Sequence, residues 1–320
     1  MKTRGLPRKK CFFGNSACSP LLFGDEENYM KWTEIQTEWR RKGEANLPVL
    51  SGTQAPVLRF PALEAVDFVS HCFTTRYGGV SGRDQGMEHL ASMNLGLTRG
   101  DREENVQENF RILAGELGTS PERFVLTDQT HTTNVRVVTE EDAGKGLVRA
   151  RDYHDVDGLV TNVPDLVLAI FVADCVPVLF VDPVHRAIGG AHSGWRGTVG
   201  RIGAKVVQLM QETYGTRPED LIAAVGPSIC RDCYEVSSEV ADIFAEEFRG
   251  HEKEILTPGR EGHAQLDLWQ TNRIVLEEAG IPAGNISVTD LCTCCNPAAL
   301  FSHRASGGRR GNMAACLMIR

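Results

Sequence analysis

From about Val57 onward, short apolar runs alternate with segments that carry an apolar residue every three or four positions. Apolar runs of four to eight residues are typical of buried strands, whereas the second pattern is typical of amphipathic helices. The run Leu166–Val172 is far too short to cross a bilayer. The alternation therefore predicts an α/β fold, and hairpin-length turns between some neighbouring runs predict a mixed sheet.

The individual elements follow from the same periodicity. A helix is expected from Asp101, with Glu104 placed for a capping box, to its end at Gly118. Further helices are expected at Thr198–Tyr214, Ser238–Phe248 and Leu268–Ala279. The predicted strands are Val69–Thr75, Val135–Val138, Gly158–Thr161, Leu166–Val172, Val178–Val181, Ala187–Ala191, Leu221–Val225, Leu300–Ser302 and Ala314–Ile319.

The first fifty residues differ from the remainder. They contain a basic start without the apolar region of a secretory signal, a stretch rich in Gly, Ser and Pro, and the charged segment Trp32–Lys42. We predict that residues 1–50 form a poorly ordered leader, with a docked N-terminal helix as the alternative. No linker is evident after residue 60, so residues 57–320 are expected to form one catalytic domain.

Charge and cysteine usage limit the partners and the compartment. With 34 basic and 42 acidic residues the net charge is −8, and no long basic stripe follows residue 50. We therefore expect neither a nucleic-acid nor a membrane partner. The ten cysteines include Cys72 and Cys316 within apolar runs and Cys175 beside an acid. This pattern does not fit a small disulfide scaffold and favours the reducing cytoplasm.

Three residues combine into a candidate metal site. Cys175 follows the buried run Leu166–Val172, His192 follows the next strong strand, and His131 lies in a turn between predicted strands. Two histidines and one cysteine suit Zn²⁺, and three protein ligands leave a fourth position for water or substrate. Taken alone this spacing is weak evidence, because a lone cysteine after a buried strand usually belongs to the core and a lone histidine is usually only hydrogen-bonded.

A series of ordered motifs strengthens that interpretation. The motifs are Thr75–Ser81, Met93–Gly96 with Gly100-Asp101, Gln129–His131, Ala173–Val178, His192–Gly197, Gly226–Ile229, Cys233–Val236, Leu266–Trp269, Cys292–Cys294 and Phe301–Arg304. Together they closely resemble the YfiH/laccase-domain family, regarded as purine nucleoside phosphorylases, over roughly residues 60–320.

The resemblance implies a single-domain, mixed-sheet α/β sandwich that binds zinc through His131, Cys175 and His192. It also implies phosphorolysis of inosine, adenosine, guanosine and methylthioadenosine, with adenosine deamination as an additional activity. Purine nucleosides and phosphate are then the expected partners, with oligomerisation open. The family pattern has Thr-Gly-Arg-Met where this tail reads Arg310-Gly311-Asn312-Met313, so Asn312 replaces an arginine and Arg310 is a candidate substitute.

Further residues are assigned by chemistry. Guanidinium forks match phosphate oxygens, which makes Arg76, Arg196 and Arg304 candidates for anion binding. Surface ion pairing is the commoner role of an arginine. Arg76 and Arg196 are favoured because each lies in a Gly-rich turn. Asn94 is expected to bond ribose or base edges. Asp174 is expected to support the metal site or carry a proton, so Asp174, Cys175 and Arg196 are the predicted catalytic residues.

Other functions remain open at this stage. Cys175 as nucleophile with His192 as base would give a metal-independent hydrolase. A copper polyphenol oxidase, an older description of the family, is weaker because the nine histidines include no His-x-His pair. A non-enzymatic binding module and a role in editing cell-wall precursors are further alternatives.

A Cys-x-x-Cys motif at Cys230 and Cys233 departs from the family pattern. With Cys292, Cys294 and Cys295 it could form a second structural zinc site or a redox pair. Reduced, packed thiols are the favoured interpretation of the sequence alone.

Overall fold

The structure, a computed structural model, describes residues 38–43, 48–82 and 86–320. Fifteen strands occur within these ranges: β1 (Val49–Ser51), β2 (Val57–Arg59), β3 (Val69–Thr74), β4 (Phe124–Leu126), β5 (Val135–Val137), β6 (Gly158–Thr161), β7 (Val167–Val172), β8 (Val176–Asp182), β9 (Ala187–Ser193), β10 (Ile222–Val225), β11 (Glu235–Ser237), β12 (Leu256–Pro258), β13 (His263–Leu266), β14 (Ile286–Val288) and β15 (Met313–Ile319). The helices of the same ranges are α1 (Pro61–Glu64), α2 (Glu103–Leu117), α3 (Trp195–Val199), α4 (Ile202–Tyr214), α5 (Ser238–Glu247), α6 (Glu252–Ile255), α7 (Leu268–Glu278) and α8 (His303–Ser306).

Two six-stranded mixed sheets form the centre of the fold. Sheet 1 has the order β1-β2-β3-β15-β7-β4, and sheet 2 has the order β14-β10-β8-β9-β6-β5. The pairs β4–β7, β5–β6 and β10–β14 are parallel, and the other pairs in these two sheets are antiparallel. A third sheet has the order β11-β13-β12. The predicted mixed-sheet α/β sandwich is therefore confirmed.

The core lies in three layers. Side chains of β7 and β15 pack against those of β8 and β9 between the two large sheets. Helices α4 and α7 cover the outer face of sheet 2, and α2 covers the outer face of sheet 1. Both faces of each sheet are buried, which explains why the central strands are apolar runs without alternation.

Two adjacent glycines of β9 allow this close packing. A Cβ atom on Gly189 would lie 2.8 Å from Val206 of α4, and one on Gly190 would lie 3.0 Å from Ile170 of β7. Successive residues of a strand face opposite sides of its sheet, so the pair admits a helix on one side and sheet 1 on the other.

The predicted helix Thr198–Tyr214 is divided in two. Arg201 adopts a left-handed conformation, with φ of 55°, between α3 and α4. Its guanidinium donates to Glu247 of α5 at 2.6 Å and to Glu278 of α7. These ion pairs hold a residue in a conformation that helical periodicity alone does not predict.

Two local expectations were wrong. Leu300–Ser302 is not a strand, since Ser302 instead caps α8 by accepting a hydrogen bond from the Ala305 amide. The capping box expected at Asp101 and Glu104 is also missing, because α2 begins at Glu103 and Arg102 precedes it without a side-chain cap. The Asp101 carboxylate instead binds the side chains of Asn94 and Asn105.

Most of the predicted leader lies outside the described residues, namely 1–37 and 44–47. Residues 38–43 are not helical, and Arg41 forms an isolated bridge with Leu291. The Arg41 guanidinium pairs with Asp290 at 2.8 Å. The division into a leader at 1–50 and one catalytic domain at 57–320 stays a prediction. Within the described ranges, none of the helices has the length and apolar character needed to span a bilayer.

We predict that Gly190→Ala lowers the free energy of unfolding by about 1–3 kcal/mol, because the new methyl overpacks Ile170. Chemical denaturation of the purified variant measures this change. Gly284→Ala is the matched control, since a Cβ at Gly284 meets no atom within 4 Å. Equal effects of the two substitutions would contradict the packing argument.

Candidate metal centre and active site

The β8–β9 hairpin brings two of the predicted metal ligands together. In its register Val176 faces Ser193 and Pro177 faces His192, so Cys175 lies directly before the paired segment, beside the end of β9. Cys175 is partly buried and His192 is 3% exposed. The thiol and the imidazole thus meet at one edge of sheet 2.

The third ligand is carried by the turn after β4. His131 adopts a left-handed conformation, with φ of 67°. Gln129 anchors this turn on sheet 1, because its amide donates to the Phe171 carbonyl at 2.7 Å and accepts from the Phe171 amide at 2.7 Å. In the Gln-x-His motif, Gln129 therefore attaches the turn to Phe171 of β7. His131, two residues later, turns its imidazole toward sheet 2.

A buried carboxylate organises both histidines. Asp157, fully buried before β6, accepts a 2.7 Å hydrogen bond from Nδ1 of His192. It also accepts hydrogen bonds from the amides of Thr130, His131 and Thr132 at 2.9–3.1 Å. One side chain thus holds the His131 turn and leaves Nε2 of His192 as the nitrogen available to a metal.

The resulting donor set is compact. One ligand atom from each of His131, Cys175 and His192 lies within 4.8 Å of the others. The imidazole centroids are 4.9 Å apart, with the rings at 75°. A Cβ on Gly194 would lie 3.2 Å from both Cys175 Sγ and His131 Cδ2, so only glycine leaves this space clear.

The chemistry of these donors fits a metal ion. Two imidazoles and one thiolate form a ligand set that suits Zn²⁺ and leaves the fourth position of a tetrahedron for water or substrate. The carboxylate of Asp157 on the opposite nitrogen of His192 is the usual support of a metal-binding histidine.

Neighbouring charges shift the pKa values of Cys175 and His192. Burial raises the pKa of Cys175, but the neighbouring His192 and His131 outweigh it and lower the value to about 6. Burial lowers the pKa of His192, whereas Cys175 and Asp157 raise it to about 9. Without a metal, the pair therefore exists as thiolate and imidazolium near neutral pH.

Asp174 lies next to Cys175, but its carboxylate accepts hydrogen bonds from residues other than the three metal-ligand candidates. It has φ of 93° and is 8% exposed. One carboxylate oxygen accepts from Thr293 Oγ1 at 2.6 Å, and the other accepts from the Arg304 amide at 2.7 Å. Asp174 therefore connects the segment after β14 and the start of α8 to the candidate active site.

Two of the predicted anion-binding arginines already have main-chain partners. Arg76 donates to the carbonyls of Ala91 and Pro297 and stacks on Phe301 at 4.7 Å. Arg304 donates to the carbonyls of Cys233 and Glu235. These contacts fix loops around the site and leave fewer N–H groups for a ligand.

Asn94 is fully enclosed. Its Nδ2 donates to Asp101 at 2.9 Å, and its Oδ1 accepts from the amides of Gly96 and Asn312. A contact of Asn94 with ribose or base would require these bonds to break, so the geometry favours a role in holding the loops together.

Two other arginines are better placed for anions. Arg196 is exposed and stacks on Trp195 at 4.2 Å, and its guanidinium makes no hydrogen bond or ion pair within the described part of the chain. Arg310 entered the sequence analysis only as a candidate substitute for the arginine that Asn312 replaces. Its Nη1 donates to Asn312 Oδ1, and its buried Nε has no hydrogen-bond partner among the described residues.

The electrostatic setting of Arg310 places it beside the site. Burial and the neighbouring Arg99 lower the pKa of Arg310 to about 10, while the charges of Cys175 and Asp174 act in the opposite direction. Its contact with Asn312 places this guanidinium beside the residue that replaces an arginine of the family pattern. Comparison with that pattern was the only sequence signal for Arg310, and Asp157 had none beyond its position before β6.

Comparison with known proteins finds related sequences and structures. A family model described as multi-copper polyphenol oxidoreductase laccase matches residues 70–320. Purine nucleoside phosphorylase YlmD of Bacillus subtilis (strain 168) is 38% identical over 75% of this chain and 85% of its own length. Adenosine deaminase RL5, from an unknown prokaryotic organism, is 35% identical over 78% and 95%. The crystal structure of YlmD from Geobacillus stearothermophilus superposes with a TM-score of 0.77 at 34% identity, covering 85% and 99%.

We predict that Asp157→Ala weakens Zn²⁺ binding by about 10- to 100-fold, the usual effect of removing the partner of a metal-binding histidine. Competition with a chromophoric chelator measures the affinity. Asp155→Asn is the control, because the Asp155 carboxylate accepts from the exposed Thr130 hydroxyl and not from His192, and asparagine tolerates its φ of 55°. Unchanged affinity in Asp157→Ala would contradict the assigned role.

We also expect Cys175 of metal-stripped protein to react with iodoacetamide at near-neutral pH. The thiolate is the reactive form, so the rate should rise as pH passes through about 6 rather than through the ordinary thiol value near 9. Peptide mapping by mass spectrometry measures the rate at Cys175, and added Zn²⁺ should suppress it. A midpoint near 9 would contradict the thiolate–imidazolium pair.

Proposed function

The chain belongs to the family described as multi-copper polyphenol oxidoreductase laccase, and we propose that within it this protein is a zinc-containing purine nucleoside phosphorylase. Its proposed substrates are phosphate and inosine, adenosine, guanosine or methylthioadenosine. Deamination of adenosine is the second proposed activity. The naming of the relatives as purine nucleoside phosphorylases and, in one case, as an adenosine deaminase supports both.

The single observation that carries the proposal is the convergence of His131, Cys175 and His192 on one point, with Asp157 behind His192. A bound Zn²⁺ would act as a Lewis acid and would lower the pKa of a coordinated water. The residues themselves present three donors and hold the two histidines in fixed orientations. They therefore form an arrangement prepared for a metal before it binds.

Phosphorolysis further requires an anion site. An oxygen of phosphate forms a bond to the anomeric carbon while the N-glycosidic bond breaks, and the bonding electron pair leaves with the purine, which takes up a proton. We propose that Arg196 and Arg310 hold the phosphate, because both have N–H groups without a protein partner among the described residues. Arg76 and Arg304 would mainly position the surrounding loops.

Asp174 is a weaker candidate for proton transfer than its position suggests. Both of its carboxylate oxygens accept hydrogen bonds, from Thr293 and from the Arg304 amide. Its catalytic role stays a prediction, and we propose that it mainly fixes the backbone next to Cys175. Asn94 as a ribose ligand stays a prediction for the same reason.

Two alternatives make use of the same residues. Cys175, His192 and Asp157 also have the order of a cysteine hydrolase, in which His131 would have no necessary part. Two histidines and a cysteine are likewise the ligand set of blue copper sites. The purine nucleoside proposal is favoured because it accounts for His131, which the hydrolase does not need, and for the N–H groups of Arg196 and Arg310 that have no protein partner among the described residues.

We propose that the protein works in the cytoplasm. The eight described cysteines are free thiols, including pairs close enough to interact. Free thiols persist where the compartment is reducing, and metal sites that depend on thiolates require the same condition.

The proposal is tested by chromatography of the products formed from inosine and adenosine, with and without phosphate, by protein of measured zinc and copper content. We expect phosphate-dependent release of hypoxanthine and adenine, lost in both His192→Ala and His131→Ala. Activity that survives His131→Ala without metal would favour the cysteine hydrolase. If the protein contains copper in place of zinc and releases no purine base, the nucleoside proposal is wrong.

A second assay examines the anion site. Arg310→Ala should raise the KM for phosphate by about 10- to 100-fold, because hydrogen bonds to charged groups contribute about 1.5–3 kcal/mol. Arg309→Ala is the matched control, since Arg309 is adjacent and exposed. Equal KM values for the two variants would remove Arg310 from the phosphate site.

A further inference from the structure

Four cysteines meet outside the candidate active site. Cys230 and Cys233 lie in the segment after β10, and Cys292 and Cys295 lie in the segment after β14. Since β10 and β14 are neighbouring parallel strands, the segments that follow them leave the sheet at the same edge. An isolated bridge between Ser228 and Cys292 continues this pairing beyond the strands.

The spacing of the four sulfurs is that of a metal site. All four Sγ atoms lie within 4.8 Å of one another, and Cys233 and Cys295 are 3.5 Å apart. A tetrahedron with Zn–S bonds of about 2.3 Å has sulfurs about 3.8 Å apart, whereas a disulfide requires about 2.05 Å. None of the eight described cysteines is in a disulfide.

The surroundings supply backbone donors to one of the four sulfurs. The amides of Cys230 and Cys295 donate to Cys292 Sγ at 3.2 and 3.4 Å, and N–H donors of this kind stabilise a ligating sulfur. The Lys42 ammonium, bound to Asp232 at 3.0 Å, lies near Cys230 and Cys295.

We propose that Cys230, Cys233, Cys292 and Cys295 form a second zinc site with a closed, structural coordination sphere. Two Cys-x-x-Cys pairs from separate segments are a common way of supplying four thiolates. The site leaves no position for substrate, so its role differs from that of the His131, Cys175 and His192 group. The proposal is independent of the enzymatic activity, because it involves different residues.

The second site would hold one wall of the candidate active site. Beside its first pair, the Ile229 amide donates to the Asp174 carbonyl at 3.0 Å. Beside its second pair, Thr293 donates to the Asp174 carboxylate at 2.6 Å. A metal that ties the two segments together therefore fixes the backbone that precedes Cys175 from both sides.

The test is the zinc content of the full chain, purified without chelator and equilibrated with Zn²⁺. We expect about two zinc ions per chain in the wild type and about one in the double variant Cys233→Ser/Cys295→Ser, given the four-ligand requirement of structural zinc. Cys294→Ser is the matched control from the same segment and should keep both. Cys175→Ala should lose one and retain the other.

Thiol protection gives a second readout that needs no variant. In wild-type protein the four cysteines should resist alkylation until a strong chelator is added, and peptide mapping resolves them from Cys11 and Cys18, which lie outside the described residues. Overturning results are one zinc per chain in the wild type with none in Cys175→Ala, rapid alkylation before chelation, or a disulfide among the four in freshly purified protein.

Discussion

The candidate active site depends on one buried carboxylate. Asp157 is inaccessible to solvent, and its charge is balanced by hydrogen bonds from His192 and from three consecutive amides of the His131 turn. An unpaired charge at this depth would be strongly destabilising. The hydrogen bonds that keep the Asp157 carboxylate ionised therefore also hold the His131 turn and the His192 imidazole in place. Gln129 provides the second attachment, to Phe171 of sheet 1, so the His131 turn is fixed between the two sheets.

Local pattern was enough to predict single elements. Gly158–Thr161 matches its predicted bounds, and β15 begins one residue earlier than predicted, because apolar runs bounded by polar residues identify buried strands. The order of the strands was not predictable. The C-terminal β15 lies between β3 and β7, and its pairing with β3 joins residues more than two hundred positions apart. The short strands β11 to β13 were missed because half-buried segments of three or four residues carry no clear periodicity.

The same limit applies to the site. The sequence placed Cys175 and His192 at one sheet edge because each comes at the end of an apolar run, and in the structure Cys175 precedes β8 while His192 lies in β9. Asp157 is brought to His192 only by the pairing of β6 with β9. The arginines show a second kind of limit. A sequence reveals that Arg76 and Arg304 can bind anions but not that main-chain carbonyls already occupy much of each guanidinium. The break at Arg201 was hidden for a related reason, since the ion pairs that support it come from two distant helices.

The two cysteine-containing clusters are physically connected through Asp174. Its positive φ turns the chain into Cys175, and its carbonyl and carboxylate bind residues adjacent to the Cys230 and Cys292 pairs. A residue in that conformation costs free energy unless its surroundings fix it. Ile229 and Thr293, which bind Asp174, are adjacent to cysteines of the four-cysteine cluster. A cluster that holds these two residues more rigidly therefore also holds the backbone at Cys175 more rigidly. With a metal in each proposed site, this sheet edge would separate two tasks: four cysteines without an open position would hold the segments, and three ligands with an open position would face the substrate.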